Sequence, residues 1–172
     1  MTRALLLLSF LTTGAASAAS QPIKGLLTGD RAVRSFSQPL PNLLSFQYQT
    51  SDGTTLAMGM LVGNAGTGGR VTDLSILALR EYLTPAERRV LRDVVVRVAL
   101  KCFNIRAERQ NAMSAWLDAM NAGTFRDKTS TFGPLRLTFQ RYISDNGDFT
   151  TFVRINRTGT PGQTPWINYC TH

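Results

Sequence analysis

Histidine is almost missing from this chain. The single imidazole belongs to His172, the last of 172 residues, so a serine or cysteine nucleophile in the folded body has no histidine to activate it. Zinc or haem sites built on histidine fail on the same shortage. Lysine is scarce too: of 19 basic residues only Lys24, Lys101 and Lys128 are lysines, leaving sixteen arginines. Cysteine is limited to Cys102 and Cys170. After the N-terminal segment no apolar run approaches the roughly 20 residues that a spanning helix needs, so no membrane span is expected there.

What is present begins with the three-part layout of a secretory signal. Arg3 supplies positive charge, residues 4–11 are apolar and leucine-rich, and residues 12–18 are small and weakly polar. Ala16-Ser17-Ala18 offers small residues at both positions a signal peptidase reads, which places the cut after Ala18. The expected organisation is a signal peptide over 1–18, an extended leader over 19–42 rich in Gly and Pro, and a single domain over 43–172. A hydrophobic content of 43% is that of a globular chain. In an oxidising compartment two cysteines read as a disulfide, and closing Cys102 onto Cys170 is expected to add about 4 kcal/mol by loop entropy.

Residues 44–62 alternate with period two on either side of Ser51-Asp52-Gly53, which reads as a β-hairpin. Residues 71–79 lean towards a strand. Thr84-Pro85-Ala86-Glu87 has the hydroxyl, proline and carboxylate of a capping box, so a helix is expected over 85–102 with Leu91, Val94, Val95, Val98 and Cys102 on its apolar face. Met113, Trp116, Leu117 and Met120 predict a second helix over 106–121, with Gly123 to end it. Residues 135–142 and 149–155 alternate around Asp145-Asn146-Gly147-Asp148, a second hairpin. Trp166, Ile167 and Tyr169 give the C-terminal tail something to dock with. Strands, two helices, then strands describe an α+β fold: an antiparallel sheet of about five strands with a two-helix insert packed on one face.

The glycine run 63–70 lacks the lysine and hydroxyl residue of a phosphate loop and reads as a flexible connector, so no nucleotide or other cofactor is expected. Asn156-Arg157-Thr158 matches a glycosylation acceptor, a pattern common by chance. A formal charge of +8 carried by arginine favours anionic partners. The expected function is that of an exported, basic, non-catalytic domain that binds an anionic polymer or an extracytoplasmic protein, with Arg88, Arg92, Arg136, Arg154 and Arg157 as candidate anion-binding residues. The alternative is an exported hydrolase that uses carboxylates rather than histidine, Asp145 and Asp148 being the pair available.

Overall fold

Period-two alternation becomes a sheet face only if neighbouring strands keep a common register, and here they do. In the computed structural model, which describes residues 19–63, 65–143 and 147–172, Leu44, Met60, Ile76, Val153 and Phe139 stand opposite one another across five consecutive strands. Each is buried. The elements run β1 (Ser20–Pro22), α1 (Ile23–Thr28), β2 (Val33–Leu40), β3 (Leu43–Gln49), β4 (Thr55–Val62), β5 (Ala65–Gly66), β6 (Arg70–Val71), β7 (Asp73–Ala78), α2 (Pro85–Cys102), α3 (Gln110–Ala122), β8 (Asp127–Phe132), β9 (Leu135–Ile143), β10 (Phe149–Arg157) and β11 (Tyr169–Thr171). The main sheet has the order β2-β3-β4-β7-β10-β9-β8 and is antiparallel throughout; a small one has the order β1-β11-β6-β5. The expected signal segment and Asp145 lie outside the described residues.

The α+β class and the antiparallel sheet stand, but the count of about five strands is corrected to seven in the main sheet, with three helices rather than two. Both unexpected strands of the main sheet are its edges. β2 lies in the leader and pairs with β3 across two register irregularities, and β8 reads Asp-Lys-Thr-Ser-Thr-Phe. Edge strands face one ladder partner and much solvent, so the apolar phase that marks a central strand is weak in both. The leader also carries α1, whose Ile23 and Leu27 join the core. The described part of the glycine run is likewise more ordered than a connector: β5 pairs with β6, and the His172 amide donates to the Gly69 carbonyl at 2.9 Å.

One face of the main sheet is covered. Its inward residues form a single core with Leu91, Val94, Val95 and Val98 of α2 and Met113 and Leu117 of α3. The other face carries Gln47, Arg154, Thr138 and Gln140, with Leu61, Leu77 and Phe152 half-buried among them. α2 starts with the expected box: the Glu87 amide donates to Thr84 Oγ1 at 3.3 Å, and the Thr84 amide donates to Glu87 Oε2 at 2.8 Å. Glu87 is buried and also receives Arg80 at 3.3 Å, so its carboxylate is committed to the helix start. The second helix begins at Gln110, later than its periodicity suggested, after a turn of 3-10 helix over Ala107–Arg109. Gly53 takes φ +83°, the left-handed value that the β3–β4 turn needs.

Cys102 and Cys170 are bonded, with their Cα atoms 4.6 Å apart. The bond joins the last turn of α2 to β11. Trp166 reinforces the junction, since its indole N–H donates to the Cys102 carbonyl at 3.0 Å and its ring stacks on Phe103 at 5.7 Å between centroids. Among the described residues no helix is long and apolar enough to cross a membrane.

Candidate anion-binding site

The five arginines singled out from the sequence do not come together. Arg88 donates to the Leu83 carbonyl at the start of its own helix, and Arg92 bridges Asp93 and Asp118, both at 2.9 Å. Arg136 and Arg154 stand on the open face of the sheet. There Arg154 grips one carboxylate oxygen of Asp73 through Nε at 2.9 Å and Nη2 at 2.7 Å. Asn156 donates to the same oxygen at 3.3 Å from within a paired strand, a poor setting for an acceptor that glycosylation requires on an accessible loop. Arg157 points the other way, into the core side, where it is 6% exposed.

A different set converges. α2 presents Ala86, Arg89, Val90, Asp93 and Arg97 along one side, a quarter to a half turn from the side bearing Arg88 and Arg92. That side faces the loop after α1 and the start of β2, which bring Arg31 and Arg34. Together with Tyr48 of β3 they line an open recess of about 500 Å³. The carboxylate that lines it and the one beside it are already engaged. Asp30, beside the recess, accepts from Tyr48 Oη at 2.5 Å, Arg97 Nη1 at 2.5 Å and the Ala32 amide at 3.0 Å. Asp93 accepts from Arg92. Arg34 donates to the Gln49 side chain and Arg89 to Ser51 Oγ at 3.0 Å, both neutral acceptors. Thus Arg31, Arg34 and Arg89 line one concavity with no carboxylate paired to any of them among the described residues.

The Asp30 cluster fixes the frame. Burial pushes the Asp30 carboxyl up, but the hydrogen bonds from Tyr48, the Ala32 amide and Arg97, with the Arg97 charge, outweigh it and hold the group below the ordinary carboxylate value. Burial and then the bond to Asp30 push the Tyr48 hydroxyl up, so it remains a donor. A carboxylate held low contributes its full stabilisation above the ordinary carboxylate range and loses it as pH falls through the lowered value. Asp30→Asn should therefore be less stable than the parent at neutral pH, and the gap should narrow at a pH well below the ordinary carboxylate range. Thermal unfolding at the two pH values reads this; an equal gap at both would show that the Asp30 charge contributes nothing.

Arg31 and Arg34 were missed by sequence reasoning because they sit in a leader without periodicity. Arg89 and Arg97 were visible as basic residues of α2, but only the fold selects them over Arg88 and Arg92. Of the carboxylate pair offered for hydrolysis, Asp145 lies outside the described residues, and Asp148 is exposed. Among the described residues no group of His, Cys, Asp and Glu is placed to hold a metal ion. No known protein family, curated protein or solved structure matches the chain.

Proposed function

We propose that this is an exported, non-catalytic domain that binds an anionic polymer in the recess between α2 and the leader. The observation that carries this reading is the set Arg31, Arg34 and Arg89, three guanidinium groups around one concavity without a carboxylate partner among the described residues. Guanidinium forks suit the sulfate, phosphate or carboxylate groups repeated along such a polymer. The recess is open and its arginines come from two separate elements, the leader and α2, which fits successive groups on a strand better than one enclosed molecule. Export is supported by the N-terminal pattern of residues 1–18 and by the Cys102–Cys170 bond.

Heparin serves as the probe. Its affinity for the protein is expected to fall steeply between about 50 and 200 mM salt, as counterion release requires. Replacing Arg31, Arg34 and Arg89 together by glutamine should weaken binding and reduce the slope of log affinity against log salt by about 2 to 3. The charge-matched triple Arg88→Gln, Arg136→Gln and Arg154→Gln removes the same formal charge outside the recess and should leave the slope nearly unchanged. Equal losses in both triples would reduce the interaction to net charge and overturn the assignment of the site.

A further inference from the structure

Just beyond the C-terminal end of α2 lies a smaller recess, of about 370 Å³, whose lining holds Arg106, Arg109 and Arg157, with Asn104, Pro134 and Pro165 around them and no acidic residue among the described residues. We propose that this recess is a second and separate binding site, taking the oxyanion head group, carboxylate or phosphate, of a small molecule.

Arg157 is the reason. It occupies the last inward position of β10, opposite Leu135, and is 6% exposed. Its Nη1 donates to the Phe103 carbonyl, and its guanidinium carbon lies 4.6 Å from the centroid of the Trp166 ring. Its Nε is buried without an acceptor, and no carboxylate pairs with it among the described residues. A guanidinium taken out of water with one carbonyl and one aromatic face for company is under-compensated. The burial also pulls its pKa below the ordinary arginine value. Two more cations beside it increase that imbalance, and an oxyanion in the recess is the group that supplies the missing charge.

The chain around the recess is held in place. Gly133, at φ +66°, forms the seat of Arg109: a Cβ there would lie 2.6 Å from the guanidinium carbon. Neither Arg106 nor Arg109 has a side-chain partner among the described residues, and both are exposed. Asn104, itself at φ +48°, donates to the Pro165 carbonyl at 2.7 Å, and the Cys102–Cys170 bond fastens the chain on either side. The volume sits at the lower end of small-molecule sites, and the proline walls suit a compact apolar body behind the head group. None of these residues lines the α2–leader recess, so this proposal is independent of polymer binding.

The experiment is a titration with inorganic phosphate and with acetate, at ionic strength held constant with sodium chloride, followed by thermal unfolding and by amide NMR shifts. Saturable stabilisation by either anion is expected, with the tighter of the two identifying the head group. The exposed double variant Arg106→Gln and Arg109→Gln should bind that anion at least about fivefold more weakly, a change of about 1 kcal/mol. It should keep its heparin affinity. The Arg31, Arg34 and Arg89 variant should show the reverse pattern. Absence of a saturable effect beyond chloride for both anions, or an unchanged affinity in the Arg106 and Arg109 variant, overturns the proposal.

Discussion

Replacing Cys102 and Cys170 by alanine is expected to lower the unfolding free energy by about 4 kcal/mol. The bond spans 68 residues of sequence, and a loop of that length gives up much configurational freedom when the unfolded chain stays closed. Both cysteines are fully buried, so the alanines also remove packed sulfur from the place where α2, Trp166 and β11 meet. The loss should be uneven across the molecule. β11 is short, pairing with β1 over three residues and with β6 over one, whereas the main sheet keeps its ladders without the disulfide. Hydrogen exchange should therefore accelerate first in residues 166–172 and 20–22, while β4, β7 and β10 keep their protection. Urea unfolding of the double variant against the oxidised parent measures the magnitude. A midpoint within error of the parent would mean that Trp166 and the small sheet hold the C-terminus by themselves.

The same junction bears on both functional proposals, though in different degrees. Pro165 lines the smaller recess and Trp166 underlies Arg157, so loss of the disulfide should weaken phosphate or acetate binding before it affects heparin. The larger recess is framed instead by the side of α2 that runs from Ala86 to Arg97 and by the leader, with the Asp30–Arg97 pair beside it.

Elements whose signals are local were legible in the sequence. The Thr84–Glu87 box depends on four consecutive residues, and the β3–β4 hairpin on one Asp-Gly between alternating runs, so neither needed knowledge of the rest of the chain. The central strands were legible because burial on one face writes a period of two. The edges β2 and β8 were not, since each has a single ladder partner and a largely solvated course. The candidate sites were harder for a geometric reason. Arg31 and Arg89 are 58 positions apart in the numbering, and nothing local records that the loop after α1 lies beside α2. A finer signal existed for Arg157. It continues the inward phase of Thr151, Val153 and Ile155, as Arg141 continues that of Leu135, Leu137 and Phe139. An arginine in the apolar register of a strand is a candidate for burial, and both of these are buried.

Arg141 should show the consequence of such a position most directly. It is 3% exposed, and its guanidinium is distributed over three stretches of chain. Nε donates to the Glu81 carbonyl at 2.8 Å; Nη1 donates to the carbonyls of Gly123 and Phe125 at 2.8 and 3.0 Å; Nη2 reaches those of Asn121 and Met120 at 2.9 and 3.4 Å. Tyr82 and Phe139 each place a ring centroid 4.9 Å from its guanidinium carbon. The side chain thereby closes the approach to α2, the end of α3 and the entry to β8 onto one strand. Arg141→Met keeps most of the apolar stem but takes a charged donor from all five carbonyls, of which that of Asn121 is buried and that of Glu81 keeps Thr151 Oγ1 at 2.8 Å, and should destabilise the fold by about 3 to 5 kcal/mol. Arg141→Lys should recover little of this, because one ammonium cannot span carbonyls that a planar fork reaches from three nitrogens. Arg136→Met, on the exposed face of the same strand, should change stability by no more than about 0.5 kcal/mol. Urea midpoints for the three variants decide the matter: if Arg141→Met behaved like Arg136→Met, water would have to satisfy those carbonyls, and the buried arginine would not be what joins the helical layer to the sheet.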